Sequence, residues 1–427
     1  MDQKLKDFLN QLETPHEELA QARKRALVQK QKDVTRRKQW LVTSVALVAI
    51  CFFLVSIRLS PTIALAVSKV PGLEAIVQLI YHNKGIEDVL EHDYNEQVYE
   101  TVEQAGIQAT IEEVIADETG MYIMYRLISD KDLNTDKLIE IEVLQNGEGI
   151  KAAKTYSAFM NEETYDFSSS IELVASEEKI DYTHPNFEVR FTIEEQVIRV
   201  PFTLKNEIKQ TRSYVVNEQI EVEGQKFTVN EIEISPLRVS IEIAIDPNNE
   251  QRILSFNSLE LLDENNEVWS KISNGVVEVG TMDKNVNKYY LQSNYFREPK
   301  SLTLKIAEIE ALPKGQDFIE VDFDKQQVVT IPNLPTFKVT EVYPMQVRAQ
   351  YKPKNPDHHR QLFGDAFDAN GKQVDTRGST SSGMGDGIHE GTVSYELENV
   401  KNPIKIYINS FPNYLKGSVQ VKILLDE

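Results

Sequence analysis

The hydrophobic pattern is uneven along the chain, and its densest stretch sits near the start. From Trp40 to Ile57 the sequence runs WLVTSVALVAICFFLVSI, with no charged residue, no Pro and no Gly. Eighteen residues in a helix span about 27 Å, close to the ~30 Å of a bilayer's hydrocarbon core. Only a helix satisfies every backbone N–H and C=O inside such a segment. The pattern predicts a transmembrane helix over 40–58. Arg23, Lys24, Arg25, Lys30, Lys32, Arg36, Arg37 and Lys38 precede it, whereas only Arg58 and Lys69 follow closely. Positive charge stays inside, so the N-terminus is expected in the cytoplasm and the C-terminal region outside. A buried core helix and a cleaved signal peptide are the alternatives. Ala64-Leu65-Ala66 has small residues where a cleavage site needs them, but a 39-residue leader with acidic residues is wrong for a signal peptide.

The flanks of this stretch follow helical spacing. In the tail, residues 1–39, Leu5, Phe8, Leu9 and Leu12 form one apolar stripe, continued by Leu19. Thr14-Pro15 with Glu17 reads as a capped helix restart. The stripe is the candidate partner-binding surface for a cytoplasmic protein. The competing expectation is that it lies among lipid headgroups. Residues 59–85 are predicted as a juxtamembrane helical segment, opened by Ser60-Pro61 and divided by Pro71-Gly72.

From Gln104 onward the period changes to two. Runs such as Ile139–Leu144, Phe187–Ile193, Val239–Ile245, Leu302–Ile309, Ile404–Ile408 and Val419–Leu424 alternate like half-buried strands, with Asn, Gly and Pro turns between them. A phrase recurs: Ala109-Thr-Ile-Glu-Glu-Val114, Phe227-Thr-Val-Asn-Glu-Ile232 and Phe337-Lys-Val-Thr-Glu-Val342. A turn echoes it at Leu144–Gly147, Leu262–Asn266 and Phe367–Gly371. The expected fold is mainly β: a helical tail, one transmembrane helix, then about three antiparallel, immunoglobulin-like β-sandwiches. The expected sandwiches cover 86–207, 208–315 and 316–427. Convergence on similar hairpins is the other explanation of the repeat.

Charge sharpens the division. The whole chain carries −21, but residues 1–39 carry a net +4, which leaves −25 for the rest. A basic tail suits an anionic cytoplasmic leaflet. The acidic remainder argues against a nucleic-acid partner. The single cysteine, Cys51, falls inside the apolar stretch, so no intramolecular disulfide and no four-cysteine zinc site can form. No catalytic residue, metal ligand or cofactor emerges. There is no HExxH, no phosphate-binding loop and no GxSxG elbow. His358-His359 is read as a solvated pair, Asp368-Ala-Asn-Gly as a turn, and the Gly-rich run 378–391 as a flexible loop. An enzyme is not expected.

The tail phrase Leu12-Glu-Thr-Pro-His-Glu-Glu-Leu19 stands first in a familiar order of pieces. It precedes the single span, Ser60-Pro-Thr-Ile-Ala-Leu-Ala66, Val70-Pro-Gly-Leu-Glu-Ala-Ile-Val77 and Gly106-Ile-Gln-Ala-Thr-Ile-Glu-Glu-Val114. In this order the chain resembles a Gram-positive single-pass membrane family described as anti-sigma-factor-like, or negative effectors of extracytoplasmic-function sigma factors. The resemblance is best over 1–205 and implies appended immunoglobulin-like β domains. It also implies a sigma factor or other cytoplasmic partner at the tail. The 39-residue tail is shorter than a typical anti-sigma domain. The expected function is a single-pass membrane regulator whose outer β domains sense an unknown extracellular ligand. The alternative is an envelope structural or adhesive protein whose β domains form a stalk.

Overall fold

The structure is a computed structural model that describes residues 83–425, apart from 134–137, 157–164, 176–177, 194, 271–277, 281–284, 354–359 and 385–386. These residues are mainly β, with several antiparallel sheets and one α-helix, α1 (Lys84–Glu91). Among them no helix is long and apolar enough to cross a membrane, and Trp40–Ile57 lies outside them. The tail and residues 59–82 lie outside them too.

Alternating strands bury one face each, and six sheets pair off around three cores. The first sandwich sets β1 (Glu96–Gln104), β2 (Ile107–Asp117), β3 (Gly120–Ser129), β7 (Asp166–Ala175) and β6 (Ala152–Tyr156), in that spatial order, against a second sheet. That sheet runs β5 (Glu148–Gly149), β4 (Leu138–Gln145), β8 (Asn186–Ile193) and β9 (Gln196–Thr203). Tyr125, Phe191, Ile141 and Val200 meet in its core.

The second sandwich repeats the first sheet as β10 (Arg212–Val222), β11 (Gln225–Ile234), β12 (Arg238–Ile245), β16 (Val286–Gln292) and β15 (Glu278–Gly280). Its facing sheet runs β14 (Val268–Ser270), β13 (Gln251–Asp263), β17 (Leu302–Pro313) and β26 (Val419–Ile423). The third sandwich sets β20 (Lys338–Tyr343), β21 (Gln346–Tyr351), β24 (Ile388–Tyr395) and β23 (Thr376–Met384) against β22 (Phe363–Phe367), β25 (Ile404–Ile408), β18 (Phe318–Asp322) and β19 (Gln327–Thr330).

The recurring phrase has a structural meaning. It lies on β2, on β11 and at the start of β20, and in each case the next strand is its neighbour in the sheet. Each pairing carries a β-bulge inside the phrase, between Ile111 and Glu113, Val229 and Glu231, and Val339 and Glu341. One extra residue shifts the alternation by one. Aliphatic residues three apart, Ile111 with Val114 and Val229 with Ile232, therefore both turn inward and are buried. The echoing turns close hairpins. Asn146 and Gly147 take φ of 52° and 86° between β4 and β5, which suits a two-residue hairpin turn. Gly371 takes φ 80° after Phe367.

Three expectations need correction. Val419–Ile423, expected in the third sandwich, pairs with β17 of the second, from Leu302 opposite Ile423 to Ile306 opposite Val419. Alternation fixes which face of a strand is buried, not which neighbour it takes; Val421 and Ile423 are at home in the second core. Residues 378–384 and 388–391, expected in a flexible loop, lie on the paired strands β23 and β24. Glycine is needed there, because a Cβ on Gly391 would stand 2.6 Å from the Cβ of Leu362. Finally, α1 crosses the expected boundary at 85/86. Its signal was present: Asn83 as N-cap, accepting from the Gly85 N–H at 2.9 Å, followed by Ile86, Val89 and Leu90 at helical spacing.

Candidate functional site

The most elaborate polar constellation among the described residues lies where the first two sandwiches meet. Two hairpin turns face each other, residues 117–120 between β2 and β3 and Ser235–Leu237 between β11 and β12. Asp117 holds its own turn, with Oδ1 accepting from the N–H and the hydroxyl of Thr119 at 2.7 Å each. Its other oxygen accepts from the Leu237 N–H at 2.7 Å, across the junction. Tyr182 donates its hydroxyl to the Asp117 carbonyl at 2.9 Å. Thr119 and Ser235 hydroxyls stand 3.2 Å apart. A carboxylate that satisfies backbone donors on two turns fixes both.

Deeper in the junction, Arg238 on β12 reaches into the first sandwich. It is 1% exposed, and its Nη2 lies 3.5 Å from Oε1 of Glu172 on β7, itself 4% exposed. Tyr122 donates to the same Glu172 oxygen at 2.7 Å. Burial, first, and the Glu172 charge beside it hold the Tyr122 hydroxyl well above the usual phenol range. It therefore stays a donor. The Arg238 guanidinium also lies 5.7 Å from the Tyr290 ring. The close fit demands glycine at 120, where a Cβ would fall 2.1 Å from the Leu173 carbonyl oxygen.

Helix α1 lies over this junction and touches both sandwiches. Ile86 and Val89 are fully buried with Ile115, Tyr122 and Met124 of the first sandwich and Leu237 of the second. Gly85 packs so near the second sandwich that a Cβ would stand 2.7 Å from the Ser293 nitrogen. Lys84 pairs with Glu267 and sits 3.7 Å above the Trp269 ring. At the other end Arg297 grips Asp88 at 2.8 Å and Glu91 at 3.1 Å, and His92 stacks on Phe296 at 4.8 Å. Burial raises the Asp88 carboxyl above the usual range, against the opposing pull of Arg297 and His92.

These contacts tie α1 and the first two sandwiches together. The described residues hold no cluster of three or more His, Cys, Asp or Glu able to bind a metal. A recess lined by Tyr94, Glu96, Val114 and Leu204 leaves about 10 Å³, room for one water. Asp368 closes a turn, accepting from the Asn370 and Lys372 N–H groups at 2.8 and 2.9 Å. The candidate partner-binding residues Leu5, Phe8, Leu9, Leu12 and Leu19 lie outside the described residues, as do His358 and His359. The junction itself was not foreseen. Asp117-x-Thr119-Gly120 reads as a turn in sequence, but no local pattern pairs it with Leu237, 120 positions on.

Residues 35–129 match a domain of unknown function (DUF4179), and residues 211–340 match a family of unknown function (DUF5643). No curated protein matches the chain. Among solved structures, the conserved domain protein from Bacillus anthracis is similar at 17% identity, over 55% of this chain and 84% of that one, with a TM-score of 0.37. A likeness that loose carries no argument about this chain.

Proposed function

We propose that the chain is a single-pass membrane regulator of the anti-sigma-factor-like kind, in which the β-sandwiches act outside the cell and the N-terminal tail engages a cytoplasmic partner. One observation carries this reading. The first family match, residues 35–129, joins the apolar stretch Trp40–Ile57, helix α1 and the first three strands into one unit. That domain has no established function, and the anti-sigma-factor-like part of the reading rests on the resemblance of the tail and span phrases. A unit that includes both the candidate span and the junction helix suits a protein that carries a signal between them. Regulation then requires two states of the outer portion that the tail's partner can tell apart.

The first test is topology: a reporter fused after Glu427 should be active only outside the cytoplasm. The second concerns the tail. The double variant Phe8→Ala, Leu9→Ala should lose co-purification with a sigma factor or other cytoplasmic protein, and membrane insertion should be unchanged. If the wild-type tail retains no such protein, the envelope-stalk reading takes over. The hydrogen-bonded junction of the first two sandwiches favours that second reading on its own terms.

A further inference from the structure

The outward face of the first sheet differs from its counterparts in the other two sandwiches. The pairings that follow the recurring phrase match position by position. Ile115 stands opposite Tyr122, and Glu113 opposite Met124, on β2 and β3. The same places hold Glu233 opposite Ser240 and Glu231 opposite Glu242 on β11 and β12. On β20 and β21 they hold Tyr343 opposite Gln346 and Glu341 opposite Arg348. Ile115, Tyr122 and Met124 therefore stand where the second sandwich has Glu233, Ser240 and Glu242, and where the third has Tyr343, Gln346 and Arg348. Among the described residues, neither of the other two faces carries an α-helix. The first does, and β3 is buried on both sides: Ile123 and Tyr125 face the sandwich core, Tyr122 and Met124 face α1.

Seat and cores are separate. The buried residues of the seat are Ile86, Val89, Ile115, Tyr122, Met124 and Leu237, and none of them belongs to the three sandwich cores. Charged contacts from the second sandwich pin both ends of the helix. Glu267 pairs with Lys84, which lies over the Trp269 ring. Arg297 spreads its fork, with Nε 2.8 Å from Asp88 and Nη2 3.1 Å from Glu91. Glu267 and Arg297 are exposed, whereas Asp88 is 1% exposed.

We propose that α1 is a detachable strap, which leaves its seat and unwinds while the sandwiches beneath it stay folded. No sandwich core needs it. An eight-residue helix does not persist alone in water, so α1 is helical only while docked. Water can take over the exposed ends of the pins. Release also returns the buried Asp88 carboxylate to water, which offsets part of the cost of uncovering Ile115, Tyr122, Met124 and Leu237. The helix and its seat on β2 and β3 fall within one family match, 35–129. In a regulator of the kind proposed above, docked and released α1 are the two outer states that the tail's partner must tell apart; that role rests on the proposed function, and the strap itself does not.

Amide hydrogen exchange of the full-length chain at neutral pH, read by mass spectrometry on peptides covering 84–92, 120–129 and 238–245, tests the strap. In the wild type the 84–92 peptide should exchange roughly tenfold or more faster than the two strand peptides, because it opens locally. Arg297→Ala should speed the 84–92 peptide severalfold further and leave both strand peptides unchanged. One common rate for all three peptides in the wild type overturns the strap, and so does their acceleration in step in the variant, because helix and sandwiches then open together. An 84–92 peptide no faster in Arg297→Ala than in the wild type also overturns it, because the pin then does not hold α1. Exchange is read on these residues alone and needs no cytoplasmic partner, so failure here is distinct from failure of the tail to retain one.

Discussion

Glu172 shows how much one carboxylate can hold. It faces both the Arg238 guanidinium and the Tyr122 hydroxyl in a site closed to water. Glu172→Ala should leave Arg238 charged, buried and unpaired, at a cost of about 3–5 kcal/mol in unfolding free energy. The double change Glu172→Leu, Arg238→Met should cost far less, because it removes both buried charges together. Urea unfolding of the two variants separates these outcomes. Asp88 behaves in the opposite sense. Burial raises its folded carboxyl above the usual range, so the folded chain holds that proton more tightly than the unfolded chain does. Its contribution to stability therefore grows as pH falls from neutral through the raised value and levels off below the ordinary one. Asp88→Asn should flatten that part of the stability–pH curve, as denaturation midpoints measured across the acid range would show.

Elements were legible where their signals were local. The strands follow from alternation, and the three phrases at 109–114, 227–232 and 337–342 mark one element used three times. The reason for their odd spacing is the bulge, which sequence alone does not distinguish from a lapse in alternation. It suggests a direct test. Deleting Asn230 removes the residue skipped in the pairing of β11 with β12 and leaves Val229 and Ile232 two positions apart, still facing one core. Deleting Thr228 instead breaks the alternation between Phe227 and Val229. The first variant should keep a cooperative unfolding transition, and the second should lose far more stability. Circular dichroism on thermal unfolding reads both. What sequence did not disclose is long-range choice of partner. Asp117 finds Leu237, and β26 finds β17, through geometry assembled from the whole chain. Helix α1 falls between these cases, since its cap and spacing are local but its single short turn pattern is overshadowed by the apolar residues before it.

At the scale of the molecule, the junctions decide what the sandwiches can do together. The second and third share more than a chain crossing. Glu310, buried in the second, accepts from Ser410 at 2.9 Å and from the Phe411 N–H at 3.3 Å. Arg252 holds Asp317 at 2.7 Å beside the link. Burial lowers the Arg252 guanidinium against the pull of Asp317, yet it remains fully charged at neutral pH. Calorimetry on the purified chain should therefore show the second and third sandwiches melting in one transition. Arg252→Ala should lower its midpoint, because Asp317 is left buried without its cation. The seat of β26 on β17 also sets a timetable. Ribosomes make β17 more than a hundred residues before the strand that closes its sheet, so the second sandwich waits, with an open edge, until β26 has been added. Chaperones and proteases meet that unfinished edge in every newly made copy, and a nascent chain halted early carries it for as long as it survives.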